Sequence, residues 1–588
     1  MKKKFLFFSI VAALAFTGCS SDEPLVDSGN GNGVEGEPQY LTVNLVTAST
    51  SNSNPRSRAA GEQTNGDPNN AATYEEGHAN ENNVSKIRFY FFNADGTAAD
   101  VKKVGVTWQN YLDWTNISDE GTNMPNVEKI LSATLVINTK EGDKAPDKIV
   151  AIINPQEATS AYTLGGASND LYAVTGDYQQ YVTNNFVMSN STYMSNSAKQ
   201  MAVSVADKIF KTPGEALDDP VEIYVERTVA KVRLNSSLIA VEGTEGIYST
   251  RTPATGDKAE VVQNFGDKEI YVKFLGWNTT AVTDKSRLIK EINPSWSLNL
   301  LGTNDPWNWS DYHRSFWAIN APNLTYQYGD FNAPSTDGTT ANAANKFQAQ
   351  AKTKFDKSQW VYINENASDN TDGSWTGATA GTRTKVIIAA QLVDAEGKAL
   401  EFAEYGTNRC SVEDLKTLFA NSCGLYKKTS SEPETYTKIT PAELKIVTAT
   451  ELEMASQTQA GRYKVYIQLT DDAAKETWYP NNTKGQTETL SKEQANETLK
   501  NLGAAKVWKN GYTYYFFDIN HLGNSYGVVR NHIYDADIKT LTGLGTPVYD
   551  PNEIIYPEKP EPDTDTYIAA RINVLSWRVV NSDIDLNW

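Results

Sequence analysis

An all-β protein with more than one sandwich-like domain is predicted by three observations. Thirteen tryptophans and thirty tyrosines stand among many Thr and Val residues, a composition that suits pleated, half-buried surfaces. Short apolar runs recur between clusters of Gly, Asn, Asp and Pro, the punctuation of strands and turns. With 588 residues and 39% hydrophobic content the chain can fill more than one core, and about two to four domains is the expectation.

The N-terminus reads as an export signal of lipoprotein type. Lysines at 2, 3 and 4 precede an apolar run from Phe5 to Phe16, and small residues lead to Cys19. That run is too short for a permanent membrane span, and Gly18-Cys19 offers a thiol for acylation, with Phe16 standing where Leu is commoner. A Gly, Ser and acid-rich stretch follows, suited to a tether. Then Tyr40 to Val46 alternates, with Leu41, Val43 and Leu45 on one face, the period of a half-buried strand. A second polar stretch contains Pro55-Arg56-Ser57-Arg58-Ala59-Ala60. Two arginines flanked by small residues in a linker form an accessible site for a trypsin-like protease; solvated linker charge is the plainer reading. The placement of a strand between tether and cleavage site marks it as removable, with a cut after Arg58 giving a chain that starts at Ala59.

Charge and cysteine usage narrow the partners. A net charge of −19 argues against nucleic acid. Beyond Cys19 the chain holds Cys410 and Cys423, whose pairing is open to an oxidising compartment and is not decided by spacing.

The body reads as strand after strand: Lys86–Phe92, Ala133–Ile137, Lys148–Ile153, Glu222–Leu234, Ile270–Trp277, Lys385–Leu392, Arg462–Leu469 and Tyr512–Ile519. Helices are expected over Ser411–Asn421 and Ser491–Leu502, the second opened by a Ser-x-x-Gln cap from Ser491 to Gln494. Thinner strand density over 236–268 marks a domain boundary near 240, and Gly329–Ser358 reads as a surface excursion.

Enzyme signatures are present only in fragments, and no catalysis, cofactor or metal is expected. Gly523-Asn524-Ser525-Tyr526-Gly527 fits G-x-S-x-G, but Val528-Val529-Arg530 is expected to continue as strand, whereas a nucleophile elbow needs a helix after the serine. Asp369 to Gly373 lacks the ligand spacing of a calcium loop. His78, His313, His521 and His532 are few and scattered. Glu222 and Glu226 share one strand face and read as surface charge.

The block Tyr512–Pro547 resembles the C-terminal domain of the short-fimbria fimbrillins, shaft subunits of protease-assembled pili in gut and oral Gram-negative anaerobes. Phe186–Ser189, Val225–Val232, Arg314–Ala318, Tyr362–Asn366 and Ile572–Trp577 are similar to patterns spread along that family, in the same order. The resemblance implies two transthyretin-like Greek-key β-sandwich domains with long loops and a few short helices. The expected organisation is signal 1–18, propeptide 19–58, N-terminal domain 59–240, C-terminal domain 241–555 and an arm with a donor strand over 556–588. It also implies lipidation at Cys19 for transit to the outer membrane, trimming by an arginine-specific protease at Arg58-Ala59, and polymerisation by strand exchange into an extracellular fimbrium. The implied partners are identical subunits head-to-tail, anchor and tip fimbrial proteins, and host or bacterial surface ligands.

The tail supplies the donor. After the Pro-rich stretch 556–565, expected to be a stiff arm, Ile568, Ala570, Ile572 and Val574 share one face, then Leu575, Trp577 and Val579 another. Ile584, Leu586 and Trp588 repeat the spacing of Leu41, Val43 and Leu45. The alternative is a last strand folded back on its own domain. Two other functions are kept open: a tip or accessory subunit, and a glycan-binding surface lipoprotein, for which Trp307-Asn308-Trp309 is the feature to follow.

Overall fold

A computed structural model describes residues 36–48, most of 78–557 and the backbone of 568–587; within these limits it does not describe 116–117, 120–126, 157–161, 167–168, 184, 192, 196–197, 242–243, 245, 251–262, 294–317, 333–346, 369–376, 379, 453–461, 522–524 and 577. The fold is all-β with few helices.

The first domain is one continuous sheet. Of its nine strands, eight lie on one path, β1 (Gln39–Ala48), β2 (Ile87–Phe92), β3 (Tyr111–Trp114), β4 (Ser118–Asp119), β5 (Val127–Ile137), β6 (Lys148–Ile153), β7 (Met188–Asn190) and β8 (Val221–Arg227), in the spatial order β3-β2-β6-β7-β8-β1-β5-β4, and the short strand Val203–Ser204 pairs with β6 off that path. β2 and β6 are buried on both faces, so their sequences are nearly unbroken apolar runs. A one-turn helix, α1 (Pro213–Asp218), is capped by the Thr212 hydroxyl, which accepts from the Glu215 amide.

The strand expected over Glu222–Leu234 is cut in two at Thr228. Its first half is β8; its second, β9 (Val229–Ser236), leaves the sheet and enters the next domain. The second core begins at Ala230, ahead of the boundary expected near 240. It lies between two five-stranded sheets, a sandwich. One holds β9 together with β12 (Asp356–Asn364), β15 (His532–Thr542), β17 (Ile568–Ser576) and β18 (Arg578–Asn587); the other holds β10 (Ile247–Ser249), β11 (Tyr271–Thr280), β13 (Lys385–Val393), β14 (Tyr512–Asp518) and β16 (Thr546–Pro547). Val232, Trp277, Val386, Ile388, Tyr515 and Tyr534 fill the space between them.

The outer face of β13 and β14 is covered as well. Ile387, Ala389, Tyr514 and Phe516 pack against Phe331, Ala349, Val548 and Ile555. Gly329–Ser358 is therefore not simply a surface excursion: Phe331, Phe347 and Ala349 anchor its ends in apolar contacts. Gly329 allows this approach, because a Cβ there would lie 1.5 Å from the Phe347 carbonyl oxygen.

A third core, within the two to four domains expected but not delimited in the sequence, is inserted between β13 and β14, which pair directly with each other. It is built on α2 (Val412–Ser422) and α3 (Lys492–Lys500), with Leu415, Phe419, Leu469, Trp478 and Leu499 at its centre. The Ser491 hydroxyl accepts from the Gln494 amide while the Gln494 side chain accepts from the Ser491 amide, the cap expected from the sequence. Cys410 and Cys423 are free and bracket α2. Eleven helical residues span about 16 Å, while a disulfide needs Cα atoms within about 7 Å; the two thiols cannot meet.

Candidate functional site

Alternation in the Tyr40–Val46 stretch becomes one-sided burial in β1. Leu41, Val43 and Leu45 are each 0% exposed, and three such side chains contribute about 1.5–3 kcal/mol apiece. β1 lies inside the sheet, not at its edge. It runs parallel to β8, from Val43 opposite Val221 to Thr47 opposite Val225. On its other side it runs antiparallel to β5, from Gln39 opposite Ile137 to Leu45 opposite Leu131. Tyr40 and Phe210 exchange backbone hydrogen bonds of 2.8 and 2.9 Å at its start. Without β1, the backbone edges of β8 and β5 and the apolar faces of Val221, Ile223, Leu131 and Leu135 would lose their cover.

Between Ala48 and His78 the chain lies outside the described residues, and with it Arg56, Arg58 and Ala59; Cys19 is outside them too. Where description resumes, the chain is fastened at once. Glu81 is fully buried and accepts from Lys231 Nζ at 2.9 Å and from the Tyr362 hydroxyl. Its other oxygen accepts from the His78 amide at 2.9 Å. His78 stacks on Trp360 with ring centroids 4.5 Å apart, and Lys231 Nζ stands 4.4 Å from the same ring centroid. Burial alone would raise the Glu81 carboxyl, but the charges of Lys231 and Arg227 outweigh it and hold the group below the usual carboxylate range. Nothing in the surrounding polar sequence signals this role.

The β8–β9 crossing is clasped by a second buried network. Arg530, fully buried, donates from its amide and guanidinium to Glu365 at 3.0 and 3.1 Å, and from Nη1 to the Leu288 carbonyl at 2.9 Å. Lys290 donates to Glu226 at 2.8 Å. Glu226 is therefore buried and paired, not the surface charge expected, because residues 286–292 carry Lys290 onto the first domain. Burial dominates its ionisation and raises the carboxyl, with Lys290 and Arg530 opposing. The Asn531 amide donates to the Val229 carbonyl at 2.8 Å and the Thr228 amide to the Val187 carbonyl at 3.1 Å. Four separated blocks, around Val187, Thr228, Glu365 and Arg530, thus converge on one joint.

Val528-Val529-Arg530 does not continue as strand. A turn with Asn531 at φ +58° precedes β15, made necessary by the change of direction into the second sheet. No helix follows Ser525, so the serine has no elbow. His521 and His532 come within 5.5 Å, ring to ring. The Tyr534 hydroxyl, 2.9 Å from His521 Nδ1, accepts from the Val529 amide. Among the described residues no cluster of His, Cys, Asp and Glu is arranged to hold a metal.

In this chain the tail folds back. β17 and β18 form a hairpin, and β18 runs parallel to β15 from His532 opposite Arg578 to Thr542 opposite Asn587. β18 thus has a parallel neighbour on one side and an antiparallel one on the other, the same environment as β1. The side chains of Ile568, Ile572, Val574, Leu575, Trp577, Ile584, Leu586 and Trp588 lie outside the description, as do Trp307-Asn308-Trp309 and Asp369 to Gly373.

Residues 506–583 match the family described as the C-terminal part of fimbrillin, the type IV major fimbrial subunit protein. No curated protein matches the chain. Among solved structures, a fimbrilin of Porphyromonas gingivalis W83 is 14% identical over 92% of this chain and 98% of its own, with a TM-score of 0.38. A cell adhesion protein of Parabacteroides distasonis is 11% identical over 92% and 97%, at 0.34. The tip fimbrial protein Mfa3 of P. gingivalis, truncated at its C-terminus, is 10% identical over 93% and 100%, at 0.28.

Proposed function

We propose, for a chain whose residues 506–583 match the C-terminal fimbrillin family, that it is the shaft subunit of a cell-surface fimbrium, exported as a lipoprotein through Cys19, trimmed after Arg58 and polymerised by donor-strand exchange. The observation that carries this reading is the position of β1. It is buried on one face, hydrogen-bonded on both edges, and followed in sequence by the stretch that contains Arg56 and Arg58 before the next described strand. A precursor with β1 in place has no open slot and stays monomeric. Cutting the linker frees β1, and a neighbour's strand can replace it by β-augmentation. Donor and slot are different surfaces, so each contact leaves both kinds free at the ends and the assembly is open. The tail, with its repeated apolar spacing, is the donor in this scheme, and it must first leave β15.

The partners are then identical subunits, anchor and tip proteins, and an arginine-specific protease, with the precursor at the outer membrane and the product in the fimbrium. The folded-back hairpin favours a second reading, a tip or accessory subunit whose tail stays on its own sheet. Electron microscopy of cells with and without the chain tests the first reading. Loss of filaments on deletion supports a shaft role; unchanged filament number and length would leave the accessory role.

A further inference from the structure

A cleft of about 660 Å³ opens on the first domain, between the Asn93–Thr97 turn, the loop around Leu164 and Asp170, and the segment that carries Arg287 and Glu291. Its walls are fixed in advance. The Leu164 amide donates to the Gly96 carbonyl at 2.8 Å and the Asn93 amide to the Thr97 carbonyl at 2.9 Å. Gly96 has φ +87°, and a Cβ there would lie 2.5 Å from the Leu164 carbonyl oxygen, so the wall admits only glycine at that point. Lys148 Nζ donates to the Ala94 carbonyl at 2.6 Å.

Three carboxylates in the cleft share one pattern. Asp95 accepts from Thr97 through Oδ1, Asp147 from the Ala94 amide through Oδ2, and Asp170 from the amides of Gly165 and Tyr172 through Oδ1. The second oxygen of each accepts from no described residue. Arg287 donates from Nε to the Asn320 carbonyl and from Nη1 to the Tyr172 carbonyl, while Nη2 meets no described acceptor. One oxygen of each carboxylate is thus used to hold its loop, and the other has no partner among the described residues.

We propose that this cleft binds a neutral oligosaccharide of about two to three sugar units. A sugar hydroxyl both donates and accepts, and so can serve an uncommitted carboxylate oxygen and a guanidinium N–H together. Asp95, Asp147, Asp170 and Glu291 outnumber Lys148 and Arg287 in the lining, so an anionic ligand meets net like charge, while a polycation meets Lys148 and Arg287 among the acids. Tyr172 and Leu164 supply apolar surface for the C–H faces of the rings. This inference goes beyond polymerisation, since none of these residues belongs to β1, its slot or the tail.

The test is calorimetric titration of the full chain with lactose, N-acetyllactosamine, maltotriose, mannotriose and cellotriose, with sialyllactose and an Arg/Lys hexapeptide alongside. Ala173→Trp adds bulk at the cleft without removing a side-chain contact, and Arg287→Met removes the donor. The expected result is saturable binding of at least one neutral sugar, weakened about tenfold or more by Ala173→Trp, whose unchanged thermal unfolding shows that the fold is kept. Binding by none of the five, binding that survives Ala173→Trp, or tighter binding of sialyllactose or the peptide would overturn the proposal.

Discussion

Lys231 Nζ lies 2.9 Å from Glu81 Oε1, with both side chains sealed from solvent, so the first described residues after the linker are pinned to the strand that crosses between the domains. The pin lies beyond Arg58, so the proposed trimming would leave it in place.

Glu81→Gln is therefore expected to lower the stability of the trimmed protein by about 3–5 kcal/mol, because Lys231 would be left buried without its charge partner. Replacing both, as Glu81→Leu with Lys231→Met, should recover much of the loss. Because the folded carboxyl sits below its unfolded value, its contribution is complete above the unfolded pKa of about 4.3 and is lost as pH falls through the folded value. Urea titrations at neutral pH and at successively lower pH read both effects; equal slopes of stability against pH in wild type and Glu81→Gln would remove Glu81 from this role.

Arg58→Ala should leave an untrimmed, monomeric precursor, and Cys19→Ser should abolish both acyl labelling and surface filaments. N-terminal sequencing of filament material is expected to start at Ala59. A start at Ser57 would move the cut to Arg56, and a start at Cys19 would end the trimming scheme.

Leu45→Ala removes a fully buried side chain from the strand proposed to leave. The precursor should lose about 2–5 kcal/mol, and strand release after cleavage should quicken. Light scattering during polymerisation of protease-treated precursor measures this: faster onset is expected, and a slower one would mean that β1 does not depart.

Deleting Ile568–Trp588 should give a folded, trimmed monomer that does not polymerise. The hairpin stands at the end of its sheet, on the β15 edge, so the sandwich core of Val232, Val386 and Tyr515 keeps its other cover. An unfolded deletion variant would show that the hairpin is integral to the domain, and normal filaments from it would exclude the tail as donor.

Mass spectrometry under non-reducing conditions should find Cys410 and Cys423 both reduced, with thiol reagents reaching Cys423 only after unfolding. Burial raises both thiols above their ordinary range, which slows oxidation at neutral pH. A Cys410–Cys423 crosslink in native protein would contradict the helix between them.

What could be seen in the sequence was what depends on local pattern. β1 was legible because one face is buried and one is not, and α3 because its cap lies within one turn. β6 was legible as a continuous apolar run. Features set by distant partners were not. Glu81 and Glu226 look like surface acids until Lys231 and Lys290 arrive, 150 and 64 residues away in the chain. The break at Thr228 has no Gly or Pro to mark it, since a strand can change sheets without changing conformation. The helices of the third core were legible, but not that they close a separate unit, because its strands are short and its turns resemble surface loops. The four blocks that meet at the joint could be recognised singly, but not that they touch.

Because β1 is an interior strand, its departure would cut a slot with two unlike walls, not expose a ledge. One wall, β8, pairs with β1 in parallel; the other, β5, pairs with it antiparallel. Parallel and antiparallel ladders space their hydrogen bonds differently, so a strand entering backwards would mismatch both walls at once. The slot therefore distinguishes the two directions of a polypeptide, and a fibre built through it has a polarity written into every joint, with one end chemically different from the other along its whole length.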